Sequence, residues 1–338
     1  MRIAYFDFLR GVAIVMVVAI HCMSRSLLGA ELSLFEIAVR NLMNVAVPLF
    51  LGISGFFCAQ KNFSSVNSCT AFLKKQLPRV YLPVLFCSLP ILISGIVSGH
   101  SVPKSFILYF ICGDSVYYFV AVIIQCYLGV FFFERIYAKS QRSFRILLGI
   151  FATLCLVGWS LNSYFVGPVL HLNPPLILYA GGIWMWGVFF LLGFYVGKNS
   201  HVKHLGLWIG CVLGGGILCM VESRFLNEPG TLSGFGQKAS AMIFSFFMLV
   251  VLLSEKCRDI YEKYFGGILN FIVIKLGRYS FGIYLIHCFL ISRVDSLLKF
   301  HGTLKWGILT LLVLFCSFFI LFLAKSIFPK FSRLFLGV

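Results

Sequence analysis

The chain has 338 residues, 60% hydrophobic and only 12% charged, with 38 Phe and a net charge of +17. Soluble domains carry about 25% charged residues. Half that share leaves too little polar surface to cover a water-soluble globule, so composition excludes a soluble enzyme, a disordered chain and a small disulfide-framed secreted domain. It predicts an all-α polytopic membrane protein, organised as one transmembrane domain over 1–338.

The positive charge does not mark a nucleic-acid binder, because the basic residues sit mostly in short segments between apolar runs. The twelve cysteines include no C-x-x-C pair. Most of them, such as Cys22, Cys126 and Cys219, lie inside apolar runs, where Cys behaves as a small hydrophobe. No ligand spacing supports a metal site.

About 20 mostly apolar residues cross a bilayer. The first such stretch covers about 8–28. Arg2 ahead of an apolar run resembles a signal peptide, but Asp7, Arg10 and the lack of a small-x-small cleavage site favour a retained helix. The second stretch is about 42–59, and the third, about 80–98, follows a basic segment at 74–79. A brief apolar piece at 104–113 reads as re-entrant or interfacial. Further stretches follow at about 117–134, 145–161, 177–197, 205–221, 238–254, 271–292 and 305–328, giving about ten spans. That number puts both termini on one side. The termini and the loops on their side hold 20 of the 28 Lys and Arg, so that side is expected to be cytoplasmic, in the inner membrane of a bacterium.

All eleven carboxylates, Asp7, Glu31, Glu36, Asp114, Glu134, Glu222, Glu228, Glu255, Asp259, Glu262 and Asp295, fall in loops or near predicted span ends. Ion-coupled transporters usually keep an acidic residue near mid-membrane. The distribution lowers that function and excludes a mid-membrane carboxylate pair of the glycosidase kind.

The first span carries the most informative pattern. Arg10 and His21 are eleven residues apart, three turns plus about 20°, so they share a face and lie about 16 Å apart along the axis. Asp7 is on the same side. An ionisable residue within a span faces the bundle interior or a wet cavity. Two readings fit His21: a general base suited to neutral pH, or an interhelical hydrogen bond that holds helices together.

Several segments resemble the acyltransferase-3 family of bacterial membrane O-acyltransferases. The first is Asp7-x-Leu9-Arg10-Gly11-x-Ala13-Ile14 followed by His21. Next come Val47-Pro-Leu-Phe-x-x-x-Ser54-Gly55-Phe56 and Phe72-Leu-Lys-Lys-Gln-Leu-Pro-Arg79, with Pro83 beyond. Tyr117-Tyr-Phe-Val with Tyr127 and Leu276-Gly-Arg-Tyr-Ser280-Phe-Gly-Ile-Tyr284-Leu-Ile-His287 complete the set. The resemblance spans residues 2–328, and its first and last motifs are the most specific. It implies a ten-helix bundle of the stand-alone type, without an extracytoplasmic esterase-like domain. It also implies transfer of an acyl group, most often acetyl from acetyl-CoA, to a glycan hydroxyl. The chain departs from the family at the start of the third span, where two arginines separated by two residues are usual: here Gln76 takes the first place and Arg79 the second.

On this resemblance His21 and Arg10 are the catalytic candidates, with His21 taking the acceptor's proton or, alternatively, carrying the acyl group. Arg79, Lys75, Arg10 and Arg278 are the candidates for holding the phosphates of acyl-CoA, and each also suits a positive-inside anchor. Ser280, Tyr284 and His287, at i, i+4 and i+7, lie on one face. With Ser54 they are candidates for the acceptor channel, or for an interhelical polar seam. The expected partners are acyl-CoA, a glycan or lipid-linked glycan, and membrane lipid. His201 and His204 read as a solvated basic loop, and Gly214-Gly-Gly216 as close helix packing rather than a phosphate loop. A flippase for a lipid-linked glycan is the alternative from another class, and an inactive scaffold a third; neither needs the Arg10–His21 face.

Overall fold

The structure, a computed structural model, describes residues 3–27, 29, 31–113, 115–172, 174, 176–199, 202–226 and 235–338. All regular structure among the described residues is helical. Among the described residues, seven helices are long and apolar enough to cross a membrane, by length and composition, or nine if each of two bent pairs counts as one span.

The first is α1 (Ala4–Ser26). The second crossing starts earlier than the expected 42, because α2 (Leu34–Leu42) begins at a capping box in which Ser33 and Glu36 satisfy each other's backbone N–H groups. It continues through a short 3₁₀ turn into α3 (Ala46–Ala59), with Pro48 tolerated in the first turn. Glu36 also accepts from Thr303 Oγ1, which ties the start of α2 to a late helix. Glu36→Ala is therefore expected to cost about 1–2 kcal/mol, from a lost cap and a lost charged hydrogen bond. An unchanged thermal midpoint in detergent would contradict this.

α4 (Val66–Val97) is 32 residues long and likewise starts well before the expected 80, capped by Ser65. The basic segment 74–79 is thus its first half rather than a loop. The expected short apolar piece is α5 (Val102–Phe110), held to α4 by Tyr109 Oη donating to the Leu85 carbonyl at 2.9 Å. After α6 (Tyr118–Lys139) and α7 (Gln141–Leu161), the sixth crossing is interrupted. α8 (Leu176–Ala180) stops at Gly181-Gly182, and α9 (Ile183–Lys198) carries on.

α10 (Leu205–Leu226) precedes two breaks that hydropathy does not reveal. α11 (Ala239–Leu252) meets α12 (Glu255–Tyr264) at 64°, and α13 (Gly267–Arg278) meets α14 (Ser280–Asp295) at 83°. The expected single span over 271–292 is thus two helices turning at Tyr279. α15 (Thr303–Ile327) and α16 (Pro329–Phe335) close the chain.

Two glycine-lined crossings set the interior. A Cβ on Gly55 would strike the Phe190 carbonyl, and one on Gly193 the Gly52 carbonyl, so α3 and α9 meet backbone to backbone. A Cβ on Gly11 would strike the Val273 carbonyl, and one on Gly277 the Asp7 carbonyl. That second crossing draws α13 across the beginning of α1. Gly215 lies against Phe244, joining α10 to α11. Of the carboxylates expected at span ends or in loops, Asp7, Glu36 and Glu222 are buried inside the bundle. Asp114 and Glu228 lie outside the described residues.

Candidate active site

A cavity of about 630 Å³ lies inside the bundle and is lined from Arg10 to Ser24 of α1. From Arg10 to Ser24 the helix axis runs about 21 Å. Arg10 and His21 both line it, so the shared face read from their spacing is the face turned inward.

Four cations gather at the Arg10 end: Arg10, Lys61 just beyond α3, Arg79 on α4, and Arg278 at the end of α13. Asp7 organises two of them. It is almost fully buried, with Oδ1 3.5 Å from Arg10 Nη1 and Oδ2 3.3 Å from Arg278 Nε. Arg278 reaches Asp7 only because Gly277 and Gly11 let the two helices touch. Each arginine of these motifs therefore has a neighbouring glycine for a packing reason.

The segment at the start of the third span divides in two. Gln76 and Arg79 line the cavity, while Lys75 is exposed and is not among the lining residues. The extra cation at the mouth is Lys61, whose ammonium lies 4.4 Å from the Phe72 ring centroid. Lys61 thus brings a cation to the mouth from an element other than α4.

Ser54, Ser280 and Tyr284 also line the cavity. Ser54 Oγ donates to the Phe50 carbonyl at 2.8 Å, and Tyr284 Oη donates to the Val116 carbonyl, so both side chains form wall. His287 is completely buried and is not among the lining residues. Its ring centroid is 5.2 Å from that of His21. Its Nδ1 lies 2.7 Å from the Tyr284 carbonyl, which only accepts, so Nδ1 carries the hydrogen. Nε2 then faces Cys288 Sγ at 3.4 Å. The polar seam of α14 is therefore split: Ser280 and Tyr284 meet the cavity, and His287 backs the His21 ring from behind.

At the His21 end the lining includes Arg40, Asn44, Tyr118 and Gln237, none of which the spacing arguments singled out. Asn44 lies in the short 3₁₀ turn that follows α2, and Arg40 in the eight residues that α2 adds ahead of the expected second span. There Arg40 reads as a loop charge. Recognising the Ser33/Glu36 capping box would have moved it inside. Among the described residues no group of three His, Cys, Asp or Glu is placed to hold a metal ion. His204 is exposed in a short loop with φ of 55°, and His201 lies outside the described residues.

The architecture is thus that of an all-α polytopic membrane protein with an interior cavity joining a cationic rim to an imidazole. The chain belongs to the acyltransferase-3 family: the family's model, described as an acyltransferase domain, matches residues 3–325. It is similar to the Bacillus subtilis (strain 168) protein named "Putative membrane-bound acyltransferase YfiQ", 24% identical over 86% of this chain and 81% of that one. It is also similar to a serine/alanine racemase of Enterococcus gallinarum, 26% identical over 65% of this chain and only 33% of that protein. No solved structure matches the chain.

Proposed function

We propose that this membrane acyltransferase moves an acyl group, foremost acetyl from acetyl-CoA, to a hydroxyl of a cell-surface polysaccharide or its lipid-linked precursor. The observation that carries the proposal is the single cavity that connects Arg10, Lys61, Arg79 and Arg278 with His21. Coenzyme A carries phosphates at one end and the reactive thioester at the other. Clustered guanidinium groups suit the phosphates, and the pantetheine arm runs inward to the imidazole. The cationic rim is assigned to the cytoplasm, where acyl-CoA is made, in accord with the 20 of 28 Lys and Arg counted on that side.

In the transfer step His21 accepts the proton of the acceptor hydroxyl while its oxygen attacks the thioester carbonyl. The carbon–sulfur bond breaks, the acyl group remains on oxygen as an ester, and the coenzyme thiolate recovers the proton from His21. Asp7 holds Arg10 and Arg278 at the mouth and takes no part in the bond changes.

The test is transfer of radiolabel from acetyl-CoA by membranes containing the protein. Labelled glycan is expected with the wild type. Arg79→Ala is expected to raise the acetyl-CoA concentration for half-maximal rate roughly tenfold, as for loss of one charged phosphate contact at a wet rim. No label transferred by the wild type from any acyl-CoA would overturn the proposal.

A further inference from the structure

We infer that the Arg40 end of the cavity is a subsite for a negatively charged sugar, one bearing a carboxylate or a phosphate. Naming that sugar as the acceptor rests on the acyl-transfer reading above; the anion subsite stands on the geometry alone.

Arg40 lines the cavity together with His21 and Asn44, and its charge is within electrostatic reach of the His21 ring. Its Nη1 donates to Asn44 Oδ1 at 2.6 Å, and no carboxylate among the described residues is within ion-pair distance of it. A guanidinium offers five N–H donors in a rigid fork, so a single neutral amide leaves most of the fork turned to the cavity. Asn44 is fixed in turn, because its Nδ2 donates to the Phe235 carbonyl at 3.2 Å.

A second cation, Lys238, lies close enough for its charge and that of Arg40 to oppose each other. Lys238 is sealed from solvent and donates to Asn41 Oδ1 at 2.8 Å and Ser223 Oγ at 2.6 Å. Glu222 is the carboxylate whose charge Lys238 feels, and the Arg40 charge opposes it there. The Glu222 oxygens accept from Tyr164 Oη at 2.7 Å and from the Ser240 N–H at 2.9 Å. Glu222 is thus engaged by groups other than Arg40. A cation held away from water is costly unless an anion meets it, and the cavity is the open side from which one can arrive.

The remaining walls suit a sugar. Phe50 and Phe119 are 6.2 Å apart between centroids, and Phe119 and Tyr284 5.7 Å, giving an aromatic face for the apolar side of a ring. Asn44, Gln237 and the Tyr118 hydroxyl supply hydrogen-bonding groups for its hydroxyls. The coenzyme phosphates do not compete for this end, since their four cations lie at the other rim, about 16 Å away along α1 between Arg10 and His21.

The experiment titrates purified wild type and Arg40→Gln in detergent with galacturonate, galactose 1-phosphate and galactose, and separately with CoA. The wild type is expected to bind at least one of the two acidic sugars ten times more tightly than galactose, and which acid it prefers identifies the anion. Arg40→Gln is expected to lose that preference, with CoA affinity within about twofold of wild type. Arg40→Lys, which keeps the charge without the fork, is expected to retain part of the preference, and it keeps the test readable should the glutamine variant fold poorly. Wild type that does not distinguish either acid from galactose would overturn the subsite. So would an Arg40→Gln variant that weakens CoA as much as the acids, because Arg40 would then belong with the donor. Failure of the acyl-CoA reading has its own signature, absence of CoA binding by the wild type.

Discussion

His21→Ala is expected to reduce acyl transfer by 10²- to 10⁴-fold, the range over which a positioned acid–base group acts, while binding of CoA and the thermal midpoint stay near wild type. The expectation follows from where the ring sits. It lines the cavity rather than facing lipid, and the His287 ring 5.2 Å behind it limits how far it can turn. His287 is itself fixed by the Tyr284 carbonyl. An interhelical bonding role for His21 predicts the opposite pattern, a fall in stability with little effect on turnover per folded molecule. Measuring rate and melting on the same preparation separates the two, and an active, destabilised variant would end the catalytic assignment.

Gly277→Val, at the cavity wall where α13 crosses α1, is expected to be the most damaging single change to the packing. A side chain there meets the Asp7 carbonyl on the facing helix, and backbone cannot step aside as a flexible side chain would. The cost should reach at least about 3 kcal/mol, the upper end for overpacked interiors. It should also remove activity, because separating α13 from α1 pulls Arg278 away from Asp7. Gly214→Ala is the internal control: that position has open space around it, and alanine is a better helix former than glycine. Equal melting temperatures for the two variants would refute the account of the crossing.

Periodicity and hydropathy made α1 and its inward face legible, because eleven residues return a helix to the same side and the polar pair interrupts an otherwise apolar run. They could not show the 83° turn at Tyr279, since residues 271–292 are apolar enough to read as one span despite Lys275 and Arg278, and a bend between two helices leaves hydropathy unchanged. The early starts of α2 and α4 were hidden for a related reason. Charged residues such as Arg40, Lys74 and Lys75 read as loop when judged by hydropathy, yet a capped helix extends through them. Lys61 and Gln237 join the cavity through packing between elements distant in the chain, which no local pattern records. The resemblance to the acyltransferase-3 family singled out both the first and the late motif, and the structure brings them together at His21–His287 and Asp7–Arg278.

The Tyr117 hydroxyl donates to the Leu285 carbonyl at 2.8 Å, and Tyr284 on α14 returns a bond to Val116. This reciprocal stitch fastens the first half of α14 to the turn ahead of α6. On the facing wall the 235–237 segment is tied by Asn44 Nδ2 donating to the Phe235 carbonyl and Gln237 Nε2 donating to the Tyr118 hydroxyl, so widening the space beside His21 on that side breaks one or both.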